Sequence, residues 1–281
     1  MNAGHGSFGC ARFMLRFPVP VVFPSGLSHS IRSARVVAVV PSRYQSSRLP
    51  GKPLALIDGK TMVEHVVRRT EEARRVDVVL VATDDERIAR AVSDFGGTAV
   101  MTDASHETGT DRLAEVAAGL ASEIIVNVQG DEPLITADAI DAAVDLLIER
   151  PADPIGTLRK RIDDPSDLTN PSVVKVTVDL DGYALYFSRS PIPFNRSGPA
   201  PGKAAPQWRH LGLYVYRREF LLTLAGLPRT PLEQAEALEQ LRALEHGYRI
   251  LTVETTADTI GVDTPEDLER VRRLVEAGAR T

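Results

Sequence analysis

The fold of this chain is decided by residues 36–53, which read VVAVVPSRYQSSRLPGKP. Five apolar residues from Val36 to Val40 predict a buried strand, and Pro41 ends it. The loop that follows contains three cations and no acid: Arg43, Arg48 and Lys52. Three charges alone would also suit a solvated loop. In RLPGKP, however, two prolines stiffen the backbone and the glycine permits special backbone angles, which favours a binding function. Because α/β proteins commonly bind polyphosphates where a strand ends in such a loop, we expect a substrate with a triphosphate or a similar anion.

Size and composition limit the kind of protein. The chain has 281 residues, of which 43% are hydrophobic, enough for one substantial core or a domain with an additional lobe. Its net charge of −5, without a long basic run, predicts that nucleic acid is not a partner. Cys10 is the only cysteine, so a disulfide framework is excluded and a reducing, cytoplasmic setting is expected. No apolar run reaches the length that spans a bilayer, so we expect no membrane partner.

Residues 1–34 differ in composition from the rest of the chain. They are rich in Gly, Ser, Pro and Arg, and the first acid of the sequence is Asp58. Such a segment suits a transit peptide, and residues 13–23 weakly resemble a signal core that Arg16 and prolines interrupt. We predict instead a disordered extension, or a translation start placed too far upstream. The folded domain is therefore expected at residues 35–281.

The first half of that domain alternates between strand and helix patterns. Apolar, β-branched runs predict strands, and amphipathic segments with helix caps predict the helices between them. The predicted strands lie at 36–40, 76–81, 98–101 and 123–128, and the predicted helices begin at 62, 86 and 112. This alternation predicts an α/β fold that is Rossmann-like, with a mostly parallel sheet flanked by helices.

The pattern changes after Pro151. Segments 173–178 and 184–187 flank the turn DLDG and predict an antiparallel pair within a smaller β-rich lobe at about 151–230. Residues 190–208 are rich in Pro and Gly and predict a long loop. The remaining predictions are a strand at 211–216, one helix from Leu232 to His246, a strand at 249–253 and a helix after Thr264.

Two acids mark a candidate metal site. The fourth predicted strand ends in NVQGDEP, residues 127–133, which places Asp131 at the carboxyl end of the sheet, where α/β ligands bind. Carboxylate oxygens next to substrate phosphates suit Mg²⁺. A second isolated acid, Asp263, precedes the last helix. Each acid alone would also suit a local turn or helix cap; together with the basic loop they favour a metal site.

Three segments of the chain resemble the 3-deoxy-manno-octulosonate cytidylyltransferases, also called CMP-Kdo synthetases. These are the basic loop, NVQGDEP at 127–133 and GVDTPEDLERV at 261–271. Ser42 stands where the loop of that family has alanine. The resemblance implies a nucleotidyltransferase fold and the transfer of CMP from CTP to Kdo, 3-deoxy-D-manno-octulosonate. The products would be CMP-Kdo, for lipopolysaccharide-type glycans, and pyrophosphate; the resemblance also implies a homodimer joined through the smaller lobe.

The resemblance implies roles for individual residues as well. Arg43, Lys52 and Asp131 would be catalytic, and Asp131 and Asp263 would bind Mg²⁺. The residues implied to contact CTP are Arg43, Ser46, Lys52, Thr108, Gly109, Thr110, Arg112 and Asp131. The residues implied to contact the sugar acid are Gln129, Arg189, His210, Tyr214, Glu233, Glu236 and Gln240. Glu233, Glu236 and Gln240 would share one stripe of a continuous helix. The alternative is that this stripe is a solvated helix edge and that His210 has a structural role.

Other functions stay open from the sequence. A related CMP-sugar synthetase could act on an amino-Kdo, or on a sialate, although sialate enzymes lack the RLPGK spacing. A metal-dependent glycosyltransferase would be expected to carry an Asp-x-Asp motif, whereas this strand ends in Asp131 and Glu132. A silent nucleotide-binding regulator should have lost a metal carboxylate or the loop lysine, and all are present.

Overall fold

The computed structural model describes residues 29–46, 48–196 and 205–278. Residues 1–28 of the predicted extension lie outside the described residues. The helix α1, His29–Arg32, follows directly, and Ile31 and Ala34 pack against the main apolar core. The backbone N–H of Ala121 also donates to the carbonyl of Arg32 at 2.8 Å. Residues 29–34 are therefore part of the folded domain rather than of an extension.

The first half of the domain alternates strands and helices as predicted. Its elements are β1 Val36–Pro41, β2 Leu56–Ile57, β3 Lys60–Thr61, α2 Met62–Glu71, β4 Val78–Thr83, α3 Glu86–Asp94, β5 Ala99–Met101, α4 Gly109–Ala118, β6 Ile124–Asn127 and α5 Ala137–Glu149. Strands β6, β1, β4 and β5 lie side by side in that order and are parallel. The prediction of a parallel sheet in this half is confirmed.

Strand β1 is apolar throughout because both of its faces are buried. Val36, Ala38 and Val40 contribute to one apolar cluster, whereas Val37 and Val39 contribute to another on the opposite side. Alternate residues of a strand point to opposite faces, so helices on both sides of the sheet require an uninterrupted apolar run. The same run ends at the edge where ligands bind in such sheets.

The second half adds antiparallel strands to the same sheet. Its elements are β7 Ile155–Arg161, α6 Pro165–Thr169, β8 Lys175–Val178, β9 Ala184–Ser188, β10 Trp208–Arg217, α7 Arg218–Gly226, α8 Pro231–Glu236, α9 Gln240–Glu245, β11 Leu251–Glu254 and α10 Pro265–Gly278. Strand β10 lies between β6 and β7 and is antiparallel to both, while β11 is parallel to β7. Strands β8 and β9 form the predicted antiparallel pair and join the sheet through β10. Strand β7 was not predicted, and residues 197–204 of the predicted loop lie outside the described residues.

The predicted single helix from Leu232 to His246 is wrong. Helix α8 ends at Glu236, Ala237 has a left-handed backbone with φ of 50°, and α9 begins at Gln240. The guanidinium of Arg189 donates to the carbonyls of Glu236 and Ala237 at 2.8 and 3.3 Å. These carbonyls are thus satisfied from outside the helix, which stabilises a break that the local sequence does not signal.

The C-terminal helix α10 packs against the start of the domain. Val262, Leu268 and Val271 form a small buried cluster with Ile57 and Met62. Asp263 precedes this helix, so the cluster fixes its position relative to the basic loop. Within the described residues, no helix is long and apolar enough to cross a membrane.

Candidate active site

A cleft of about 980 Å³ opens at the carboxyl ends of β1 and β6. Every residue predicted to contact CTP or metal lines it: Arg43, Ser46, Lys52, Thr108, Gly109, Thr110, Arg112, Asp131 and Asp263. Of the predicted sugar residues, Gln129, Tyr214 and Gln240 line the same cleft. The chain thus collects these residues from the basic loop, the start of α4, the segment after β6, strand β10 and the last third of the sequence.

The basic loop is held in place by backbone contacts. The N–H of Ser42 donates to the carbonyl of Ala82 at 2.8 Å, and the N–H of Gly51 donates to the carbonyl of Tyr44 at 2.9 Å. Gly51 has a φ of 71°, a left-handed conformation that glycine adopts without strain. The loop therefore turns back on itself and presents its cations to the cleft.

The two acids of the candidate metal site meet across the sequence. Lys52 Nζ donates to Asp131 Oδ2 at 2.7 Å and to Asp263 Oδ1 at 3.1 Å. The N–H of Val262 donates to the carbonyl of Asp131 at 2.8 Å, which joins the two acid-bearing segments through their backbones. Both carboxylates therefore face one cation position.

Gly130 allows the end of β6 to approach the start of the basic loop. A Cβ atom at this position would lie 2.7 Å from the carbonyl oxygen of Pro41 and 2.9 Å from Ser42 Oγ. A side chain there would push the basic loop away from Asp131. The glycine of NVQGDEP is thus needed because no side chain fits at this position, which the sequence motif alone does not reveal.

The turn before α4 is anchored from below by Glu115. This buried carboxylate accepts from the N–H of Asp103 at 2.9 Å and contacts His106 Nε2 at 2.5 Å. Thr108 caps the helix, because its Oγ1 accepts from the N–H of Asp111 at 3.1 Å. Helix α4 consequently begins at Gly109, earlier than the predicted start at Arg112, and its N-terminus faces the cleft.

Buried polar side chains form the wall of the cleft opposite the basic loop. Thr110 Oγ1 donates to Glu239 Oε2 at 2.5 Å, so the first turn of α4 contacts the segment between α8 and α9. Burial raises the pKa of Glu239 and of Tyr216, which lies beside it. Glu239 is a cleft residue that the sequence interpretation missed; the only signal was its place next to Gln240.

The remaining predicted sugar residues lie outside the lining of the cleft. Arg189 is held on the outer side of the break between α8 and α9, where it also donates to the carbonyl of Pro171 at 3.0 Å. Glu236 accepts from Ser188 Oγ at 2.6 Å and from the N–H of Arg189 at 2.9 Å. Glu233 is buried in an ion pair with Arg242, at 2.5 Å. Since the helix is broken at Ala237, the predicted stripe of Glu233, Glu236 and Gln240 does not exist.

His210 is packed among aromatic rings behind the cleft. Its ring lies 5.0 Å from Phe187 and 5.3 Å from Tyr214, and its Nε2 is 3.0 Å from Thr157 Oγ1. The Thr157 hydroxyl donates to the carbonyl of Leu213 at 2.7 Å, so His210 Nε2 is the donor towards it. Burial lowers the pKa of His210 to about 3, which keeps the imidazole neutral.

The described residues fit a divalent ion whose remaining ligands come from a substrate. Among them, no group of three or more His, Cys, Asp and Glu side chains stands together as a self-sufficient metal site. Asp131 and Asp263 supply two carboxylates that already converge on one cation. Two carboxylates with the remaining ligands from phosphates and water is the arrangement that Mg²⁺ prefers.

Comparison with known proteins agrees with this geometry. Residues 37–250 match the family model described as cytidylyltransferase. The 3-deoxy-manno-octulosonate cytidylyltransferase of Geobacter sulfurreducens is 57% identical over 244 residues, which cover 84% of this chain and 97% of the relative. The chain belongs to the 3-deoxy-manno-octulosonate cytidylyltransferase family. The relative of the same name from Solibacter usitatus is 54% identical over 243 residues and covers 86% of this chain and 95% of its own length.

A solved structure supports the fold of this cytidylyltransferase. The structure of CMP:2-keto-3-deoxy-manno-octonic acid synthetase complexed with CTP aligns with a TM-score of 0.82 and 46% identity. The alignment covers 87% of this chain and 99% of that structure. The predicted nucleotidyltransferase fold, with a mostly parallel sheet flanked by helices, is confirmed.

Proposed function

We propose that this chain transfers CMP from CTP to the anomeric hydroxyl of Kdo, giving CMP-Kdo and pyrophosphate. The observation that carries the proposal is the meeting of Lys52 with Asp131 and Asp263 in one cleft. A phosphate-binding cation beside two converging carboxylates is what nucleotidyl transfer requires. Family membership names the nucleotide and the sugar acid, because the relatives carry that activity in their names.

The nucleotide is bound between the basic loop and the N-terminus of α4. Arg43 and Lys52 neutralise the phosphates. The nucleotide side of the cleft is completed by Ser46, Thr108, Gly109, Thr110 and Arg112. The reaction needs positioning and charge neutralisation rather than a nucleophilic side chain of the protein. Asp131 and Asp263 would hold Mg²⁺, which would supply positive charge to acidify the attacking hydroxyl and to neutralise the leaving pyrophosphate.

The sugar acid is bound on the side of β10 and α9. Gln129, Tyr214 and Gln240 line this part of the cleft, and Gln240 Nε2 is a buried donor without a partner among the described residues. An unsatisfied buried donor is costly unless a ligand accepts from it, so it suits a sugar hydroxyl. Arg189, His210, Glu233 and Glu236 support this wall from behind through the contacts described above.

The assembly is proposed to be a homodimer joined through the β8–β9 hairpin. Leu185, on β9, and Phe194, in the following loop, are apolar side chains that are 63% and 88% exposed. Covering such residues by a second copy removes apolar surface from water. The proposed setting is the cytoplasm, where CTP is available.

Pyrophosphate release tests the proposed function. The purified protein is incubated with Mg²⁺ and each of CTP, UTP, GTP and ATP, crossed with Kdo, an amino-Kdo, sialic acid and no acceptor. Release only with CTP and Kdo is expected. Release with another acceptor would move the specificity within the family, and no release with any pair would refute nucleotidyl transfer.

The variant Asp131→Asn tests the metal assignment. Removing this charge should lower turnover by at least about a hundredfold, since a lost electrostatic contact to the transition state costs that much or more. Circular dichroism and urea unfolding check that the fold is intact. Asp145→Asn is the matched control, because Asp145 lies on helix α5, away from the cleft. Its carboxylate contacts Arg75 there. Wild-type turnover in Asp131→Asn would refute the assignment.

A further inference from the structure

Lys52 makes the contacts that a metal ion would make between the two carboxylates. Its single ammonium contacts Asp131 at 2.7 Å and Asp263 at 3.1 Å. Arg48 Nη2 contacts the other oxygen of Asp263 at 2.9 Å. Two positive charges therefore face two negative ones, and this group of side chains is neutral before any ligand binds.

The Lys52 contact differs from an exposed surface ion pair. The Lys52 side chain is only 13% exposed, whereas Arg48 is 60% exposed. The Lys52 backbone is fixed by a tight turn, in which its N–H donates to the carbonyl of Leu49 at 3.2 Å. The carboxylates of Asp131 and Asp263 are 32% and 45% exposed, so water partly screens these ion pairs. A metal ion that enters this position must displace the Lys52 ammonium from both carboxylates.

The Lys52 ammonium is attracted by the two carboxylates and would also be attracted by a bound nucleotide. It carries one positive charge, and the triphosphate that the basic loop would bind carries several negative ones. The flexible four-carbon side chain of lysine lets the ammonium move within the cleft while the turn stays in place. This step rests on the proposed function, which assigns Lys52 to the phosphates and Asp131 and Asp263 to the metal.

We propose that Lys52 positions the two metal carboxylates before the nucleotide binds and competes with the metal ion for them. When the phosphates attract its ammonium, the carboxylates become available to a divalent ion. Lys52 thereby makes metal binding depend on the nucleotide. The dependence is mutual, because a coupling between two bound ligands acts equally on both affinities.

Metal affinity without nucleotide tests this proposal. Mn²⁺ is titrated into the nucleotide-free protein, and the free ion is measured by electron paramagnetic resonance. Lys52→Met removes the competing charge and keeps most of the apolar side chain. We expect Lys52→Met to bind Mn²⁺ at least about tenfold more tightly than the wild type, which corresponds to about 1.4 kcal/mol. Lys52→Arg keeps a competing cation and should stay close to the wild type.

Controls separate this effect from others. Lys60→Met removes an exposed lysine of strand β3 and should leave Mn²⁺ affinity unchanged. Adding Asp131→Asn to Lys52→Met should abolish the gain; a gain that persists would place the ion elsewhere and overturn the proposal. Lys52→Gln is measured in the same way if Lys52→Met does not fold.

The decisive result is the direction of the change. A purely structural role for Lys52 would loosen the site on its removal and weaken Mn²⁺ binding. Equal or weaker binding by Lys52→Met, or by Lys52→Gln where Lys52→Met does not fold, therefore overturns the proposal. The outcome is independent of the acceptor specificity. Tighter Mn²⁺ binding without any pyrophosphate release in the wild type would refute the proposed function and leave the competition intact.

Discussion

Gly130→Ala is the substitution with the clearest geometric consequence for the cleft. The new methyl group would lie 2.7 Å from the carbonyl oxygen of Pro41 and 2.9 Å from Ser42 Oγ. Both atoms belong to the segment that leads from β1 into the basic loop. These contacts relax to ordinary van der Waals distances only if the two strand ends separate by roughly half an ångström or more.

This separation should affect both stability and turnover. Overpacking of this kind costs roughly 1–3 kcal/mol, so we expect the free energy of unfolding of Gly130→Ala to fall by about 2 kcal/mol. A displacement of 1 Å between reacting groups costs about a hundredfold in rate, so half that displacement should lower kcat by about tenfold. Urea unfolding measures the first quantity, and pyrophosphate release at saturating CTP measures the second.

Gly261→Ala is the matched control. Gly261 lies two residues before Asp263, and a Cβ atom there would have no other heavy atom within 4 Å. This control should be close to the wild type in both assays. If Gly130→Ala unfolds at the same urea concentration and turns over at the same rate as Gly261→Ala, the steric explanation of Gly130 is refuted.

Two further predictions concern buried ionisable side chains. Arg242→Met leaves the carboxylate of Glu233 buried without its partner, since both side chains are about 5% exposed, and should lower the free energy of unfolding by about 3–5 kcal/mol in urea. Adding Glu233→Leu should recover part of that loss, and an unchanged single variant would contradict the pairing. The second prediction concerns pH: His210 stays neutral in the folded protein down to about pH 3, whereas the unfolded chain binds a proton below about pH 6.5. Stability should therefore fall as the pH drops from about 6.5 towards 3, by at most about 1.4 kcal/mol per pH unit from this group. In His210→Asn this part of the slope should vanish; urea unfolding at several pH values compares the two proteins, and parallel slopes would contradict the assignment.

The position of the basic loop beside Asp131 could be predicted because it follows from sheet topology. Strands β1 and β6 are neighbours and parallel, so the loops after them meet at one edge. Arg43 and Lys52 follow one strand and Asp131 follows the other, which is visible as a buried apolar run that changes to charged residues. Their approach needs no knowledge of side-chain packing.

The sugar side could not be predicted in the same way because distant contacts determine it. No glycine or proline marks the break at Ala237, which is stabilised by Arg189 from another part of the chain. Strand β7 was missed because it ends in the cations Arg159, Lys160 and Arg161, a composition typical of an exposed loop. The guanidinium of Arg159 lies over the ring of Trp208 on β10, 5.0 Å from its centre. The neighbouring strand thus supplies an aromatic partner that stabilises this charge.

The ion pairs of Lys52 have a consequence for how the protein is made. Lys52 and Asp263 are separated by 211 positions, whereas Lys52 and Asp131 are separated by 79. A chain still being synthesised can therefore assemble most of the sheet and pair Lys52 with Asp131, but it lacks the second carboxylate until almost all of the protein has left the ribosome. Contacts between such distant positions also form late in folding, because closing a long loop costs more entropy than closing a short one. Truncated products of translation would thus keep much of the apolar core without ever gaining both carboxylates that contact Lys52.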